Sequence, residues 1–174
     1  MELYAERGYE QTTVTEIAKR AGLTERTFFR HYADKREVLF AGSALLRERM
    51  VGGLAGAPPS APPIDAVAAA LQEAAAVLDE RRPQARQRQR IITANAELQE
   101  RELVKLASLA SAMGEALRAR GVSEPAASLA AEAGIAVFKV AFERWIDTTG
   151  VRGLGAFVLE GLAGLESLMA GGRP

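Results

Sequence analysis

Hydrophobic positions along this chain recur every three to four residues, and the period-two alternation of strands is nearly absent, so the pattern predicts helices throughout. Val14, Ile17, Ala18 and Ala21 fall at i, i+3, i+4 and i+7, one narrow apolar face on a helix over 14–21. Gly22 follows where a helix takes a left-handed terminator, and Leu23 is placed to fold back onto the helix end. A second short helix is predicted from Thr24 to about His31, with Phe28 and Tyr32, four apart, facing inward toward Ile17. Two short helices joined by a glycine-containing turn make a helix-turn-helix.

Capping residues mark the helix starts. Thr13 and Glu16 have capping-box spacing, in which the threonine accepts from the third amide and the glutamate reaches back. Asp34 and Glu37 repeat that spacing and predict a further helix that starts near Lys35; Thr24 is a cap by residue type. No proline occurs before residue 58. Four then fall between Pro58 and Pro63, a break in which Pro63 suits the first turn of the next helix. Four helices are expected before this break and five after it.

Beyond the break, apolar stripes run through Ile64, Val67, Leu71, Ala74 and Leu78, and through Leu103, Leu106, Ala110, Met113 and Leu117. A third carries Ile135, Phe138, Phe142 and Trp145, and a fourth Leu154, Phe157, Val158, Leu162 and Leu165. Gly121 is placed to end the second stripe's helix, and Gly161 to let a neighbouring backbone approach the last.

Composition narrows the picture. The 174 residues are 48 % hydrophobic and 6 % aromatic, rich in alanine, leucine, glutamate and arginine, so the fold class is all-α. With no cysteine, disulfides and thiolate metal sites are excluded, and the single histidine, His31, makes no metal set. Neither a metal nor a cofactor is expected. The first residues carry charge and no apolar leader core, and no apolar run reaches the roughly 18 residues of a membrane span. A cytoplasmic protein without a membrane partner is therefore expected. No Ser/His/Asp set, apolar carboxylate pair or glycine-rich phosphate loop is found, which speaks against an enzyme.

The net charge is zero, so contact with nucleic acid must come from a local patch. The second short helix offers one. With Phe28 and Tyr32 inward, Glu25, Arg26, Phe29 and Arg30 point outward at its amino-terminal end, where recognition helices read the major groove. Arg26 and Arg30 can each fork onto guanine O6 and N7, and Glu25 can accept from cytosine N4. Lys35 sits where a cation can meet a phosphate, and Thr13 offers a hydroxyl and a helix amino-terminus to another. His31 can donate to a phosphate, more strongly when protonated. Helix-turn-helix geometry also occurs in proteins that never touch DNA, and residues 1–50 hold nine basic against eight acidic side chains. Spacing alone leaves the two readings open.

The segment "GYEQTTVTEIAKRAGLTERTFFRHYADKREVLF", Gly8 to Phe40, resembles the DNA-binding segment of the tetracycline-repressor (TetR) family. The match runs without a gap through Gly8, Tyr9, Thr12, Thr13, Val14, Ile17, Ala18, Ala21, Gly22, Thr27, Phe28, Arg30, His31, Tyr32, Lys35 and Phe40, about a fifth of the chain. It implies that Thr13, Phe29, His31 and Lys35 lie where the family touches phosphates. Thr15, Glu25, Arg26, Thr27 and Arg30 then lie where it reaches bases. Phe29 departs from the family's usual tyrosine, which removes a hydroxyl and leaves an apolar ring that can meet a thymine methyl. The family often carries a basic arm before its first helix; only seven residues precede Gly8, and no arm contact is assigned.

The resemblance further implies a helix-turn-helix DNA-binding domain of three helices over residues 1–42. A helical domain over 43–174 would dimerise and enclose a small-molecule cavity. Helices over about 124–148 and 154–169 would pair with their copies in a four-helix bundle, matching a palindromic operator. Candidate cavity residues on the facing stripes are Leu106, Ala110, Met113, Phe138 and Phe142, an apolar set that suits a largely apolar ligand. The function so implied is that of a homodimeric repressor released from double-stranded DNA by a small inducer. The alternatives are a DNA-binding regulator without ligand and a helical ligand carrier without DNA binding. The most basic stretch, "RRPQARQRQR" from Arg81 to Arg90, reads as the end of one helix and the start of the next, and as structural rather than DNA-reading.

Overall fold

The computed structural model describes residues 1–171, and these contain helices and no strand. In chain order the helices are α1 (Glu2–Arg7), α2 (Val14–Arg20), α3 (Glu25–His31), a 3₁₀ helix (Arg36–Phe40), α4 (Ser43–Gly56), α5 (Pro63–Asp79), α6 (Arg82–Thr93), α7 (Ala96–Ala119), α8 (Glu124–Asp147) and α9 (Leu154–Met169). The chain divides into two compact units: residues 1–44 together with 83–103, and 45–82 together with the segment from 104 onward.

In the first unit, local chemistry sets the helix ends. Thr13 and Glu16 form a complete capping box at α2, and Thr24 caps α3 by accepting from the Thr27 amide at 3.2 Å. Gly22 ends α2 at φ 68; its amide donates to the Lys19 carbonyl and that of Leu23 to Ala18, the paired bonds of a Schellman motif. The helix expected after Asp34 is instead a short 3₁₀ turn. Asp34 takes the amides of both Arg36 and Glu37 on one oxygen, which tightens the backbone, and α4 starts separately at Ser43.

The core of this unit is built from Tyr4, Tyr9, Leu39, Phe40, Ile91, Ile92 and Leu98, with Met1, Ile17 and Val38 packed against it. Three of its seven members therefore come from α6 and the start of α7, far along the chain. Of the expected α2 face, Ala18 is buried and Ala21 is exposed.

In the second unit, α5, α8 and α9 pack pairwise. Glycines permit the closest approaches: a Cβ on Gly134 would lie 2.5 Å from Val67 Cγ1, and one on Gly161 would lie 2.9 Å from Val137 Cγ1. The aromatic stripe of α8 is inward, with Trp145 fully buried and its ring 5.7 Å from that of Phe142. The sequence shows no uninterrupted apolar run in α8, yet this helix is long and apolar enough by composition to cross a membrane. Within the chain it packs against α5 and α9, and 39 % of that apolar window is buried.

Two expectations are corrected here. Leu103 is 58 % exposed and does not join the buried side of α7, whereas Ala110, Met113 and Leu117 do. Arg82 does not end a helix. Asp79 closes α5, and Arg82 opens α6 with Pro83 in the first turn, where a missing amide proton costs nothing. The Arg82 guanidinium donates to the carbonyls of Trp145, Thr148 and Gly150 and lies over the Trp145 ring, so it closes the exposed carbonyl end of α8.

Candidate nucleic-acid interface

α2 and α3 pack on each other, and α3 is anchored from beneath. Phe28 is 2 % exposed, with the Tyr32 ring 5.3 Å away on the next turn. The opposite face is open. Glu25, Arg26 and Arg30 are exposed, and Phe29 is 54 % exposed, standing edge-on to Phe28 with ring centroids 5.4 Å apart. Among the described residues Arg26 makes no ion pair or hydrogen bond, and Arg30 meets only the His31 ring, at 3.5 Å. A guanidinium that no carboxylate neutralises can donate two parallel hydrogen bonds to guanine O6 and N7.

The other expected DNA residues are placed less simply. Thr13 is exposed, with its amide and hydroxyl both bonded to Glu16 within the capping box. Thr15 on α2 donates its hydroxyl to Glu25 Oε1 on α3 at 2.5 Å, which ties the two helices together. Thr27 is half-buried and shares a hydroxyl contact with Thr24 at 3.0 Å. Lys35 directs its ammonium at the carbonyls of Tyr9, Glu10 and Thr12, at 2.9, 3.2 and 3.1 Å, and lies over the Tyr9 ring. Its three protons are thus spent on the turn that leads into α2, and toward solvent it offers charge rather than a free donor.

Electrostatic support for the helix-turn-helix head, formed by α1 to the 3₁₀ helix, comes from carboxylates held in their charged form. Hydrogen bonds from the Thr13 amide and hydroxyl keep Glu16 below the usual carboxylate range, and the Arg36 guanidinium does the same for Asp34. A lowered folded-state pKa stabilises above the ordinary carboxylate pKa, and that contribution is lost as pH falls through the lowered value. Burial pushes the Tyr9 hydroxyl up to about 12.

Sequence reading missed the residues that hold the head from α6 and α7. Arg88 donates Nε to the Leu39 carbonyl at 2.7 Å, pairs with both oxygens of Glu102, and lies over the Phe40 ring. Arg36 pairs with Asp34 and Glu97, and Arg101 with Glu37. Within the basic run, Arg82 and Arg88 are thus spent on internal partners. No local signal could have identified the Arg36–Glu97, Arg88–Leu39 and Arg101–Glu37 contacts, because each joins segments far apart in sequence.

Of the candidate cavity residues, Ala110, Met113 and Phe138 are buried, and Leu106 and Phe142 are half-buried. Phe138 and Phe142 stack at 6.2 Å, whereas Met113 lies against the α8 backbone, its terminal methyl 3.4 Å from where a Gly134 Cβ would sit. A depression of about 250 Å³ between α7 and α8 is lined by Ala110 and none of the other four.

Known proteins share both halves of this arrangement. Residues 1–41 match the model of bacterial regulatory proteins of the tetR family, and residues 61–170 match that of the MftR C-terminal domain. The HTH-type transcriptional regulator TcmR of Streptomyces glaucescens is 36 % identical over 72 residues, 41 % of this chain. That stretch spans 32 %, about a third, of the relative's length. Two solved structures share the fold. The TetR family transcriptional regulator PfmR of Thermus thermophilus has a TM-score of 0.50 at 21 % identity, over 99 % of this chain and 95 % of that one. FadR of the same organism, a TetR family repressor solved with lauroyl-CoA, has a TM-score of 0.53 at 24 % identity, over 97 % and 89 %.

Proposed function

The chain belongs to the TetR family of bacterial transcriptional regulators, and from that premise we propose that it is a homodimeric repressor of a palindromic operator, released by a small, largely apolar molecule. The observation that carries the DNA half is the capped helix α3, buried through Phe28 and open through Glu25, Arg26, Phe29 and Arg30. In this reading residues 1–42 bind DNA, with Arg26 and Arg30 on guanines, Thr15, Glu25 and Thr27 at base edges, and Thr13, Phe29 and His31 along the backbone. Lys35 belongs to the backbone set as a charge, and the region from 43 onward binds ligand and dimerises.

Support for the dimer lies on α8 and α9. Leu129 and Val140 on α8, eleven apart and hence on one face, are 71 % and 53 % exposed, and Leu159 on α9 is 55 % exposed. A second copy of the chain would cover these side chains and give the two reading helices the symmetry of a palindrome. The role places the protein in the cytoplasm with the DNA it regulates.

For the ligand, support is the apolar set Leu106, Ala110, Met113, Phe138 and Phe142, and a shared fold solved in FadR with lauroyl-CoA, whose acyl chain is apolar although its CoA part is charged. Trp145 is the single tryptophan and packs on Phe142, so its fluorescence reports occupancy nearby. Hydrophobic compounds should change that fluorescence and weaken operator binding. Binding of a doubly charged metabolite, with no response to hydrophobic compounds, contradicts this assignment.

The DNA assignment is tested by Arg26→Ala in an electrophoretic shift assay over an operator library. Loss of about 1–3 kcal/mol is expected at one guanine, with preference relaxed there alone. An unchanged base preference removes Arg26 from the reading set.

A further inference from the structure

The hydrogen bond between Thr15 and Glu25 has a chemical consequence for which sequence the reading face accepts. Thr15 has one hydroxyl proton, and it is donated to Glu25 Oε1 at 2.5 Å. What the pair then turns outward is Glu25 Oε2 and the lone pairs of the threonine oxygen: acceptors, and no donor. The charge is also uncompensated. Arg30 is turned to the His31 ring, and Arg26 makes no ion pair among the described residues, although both share α3 with Glu25.

An uncompensated, acceptor-only group in the major groove is repelled by the phosphates and gains only from a base that offers a donor. Guanine presents O6 and N7 and thymine presents O4, all acceptors. Adenine presents an N6 donor beside the N7 acceptor, which the lone pairs of the pair would oppose, whereas cytosine presents its N4 donor alone. We propose that Thr15 and Glu25 form a cytosine-reading pair: Glu25 accepts from N4, and Thr15 is the positioning residue that holds the carboxylate. A carboxylate already fixed by a neighbour loses less rotamer freedom on binding, which sharpens discrimination. This inference rests on the DNA-binding reading and adds the identity of one operator base.

The test uses the full chain and the operator it enriches from random duplex DNA, with affinity measured for all four bases at every position. The wild type should prefer cytosine about fivefold or more at one position, the low end of a good base contact. Thr15→Val should erase that preference while preferences at other positions persist, and Thr15→Ser, which keeps the hydroxyl, should restore it. Glu25→Gln should move the same position from cytosine to adenine, because an amide supplies the donor that adenine N7 needs. A purely structural role for Thr15 predicts instead that Thr15→Val weakens all operators alike with its base preferences intact, and that result overturns the proposal. So does a Glu25→Gln protein with unchanged preference. Failure of the wild type to enrich any sequence overturns the DNA-binding reading along with the pair; an enriched operator that ignores both substitutions overturns the pair alone.

Discussion

Leu98→Ala is expected to destabilise the DNA-binding unit by about 2–5 kcal/mol and to weaken operator binding without touching DNA. Leu98 lies well after the proline break, at the start of α7, yet it is 0 % exposed and sits in one core with Tyr4, Leu39, Phe40, Ile91 and Ile92. Truncation removes the leucine's contacts with these side chains and leaves a void that rings fixed on α1 and the 3₁₀ helix cannot fully close. Domain stabilities are about 5–15 kcal/mol, so this loss approaches the scale of the whole. Urea unfolding should show the lowered midpoint, and operator affinity should fall in proportion to the unfolded fraction. An unchanged midpoint would show that α7 is not part of the head's core.

The second large effect belongs to the other unit. Trp145→Ala should cost about 3–5 kcal/mol, because the side chain is fully buried between Phe142 and the Arg82 guanidinium. Arg82 would then keep its carbonyl partners and lose the ring it lies on. Trp145→Phe should cost clearly less. The indole Nε1 has no hydrogen-bond acceptor among the described residues, so phenylalanine gives up ring volume but no hydrogen bond, and it still offers Arg82 an aromatic face. Thermal melts of the two variants distinguish packing from polar bonding. Equal losses for Phe and Ala would mean that the indole N–H is bonded, for instance to a buried water.

What could be read from the chain beforehand follows a physical division. Features set by neighbours in sequence were legible: the Thr13–Glu16 box, the Thr24 cap, Gly22 and Gly121 at left-handed φ, Pro63 in the first turn of α5, and α9 over 154–169. Phe28 inward and Phe29 outward follow from helical periodicity in the same way. Features set by distant partners were not. Ile91, Ile92 and Leu98 read as an ordinary helix face, and only the fold assigns them to the core beneath the reading helices. Arg82 reads as a helix-terminal cation; its partners are three carbonyls at and after the end of α8. Lys35 illustrates the limit at the site itself, since a lysine that meets a phosphate and one that meets three carbonyls look alike in sequence. The Thr15–Glu25 bond joins separate helices, and no periodicity announces it.

The most direct test of operator recognition is selection of bound sequences from random duplex DNA by the intact chain at fixed salt. The expected result is a two-fold symmetric site whose half-sites lie about 34–36 Å apart, or a multiple of that, each with guanine contacts that disappear when Arg26 and Arg30 are both replaced by alanine. No enrichment over the starting library, or an enriched site that the double variant selects equally well, would contradict the assignment of α3 as the reading helix.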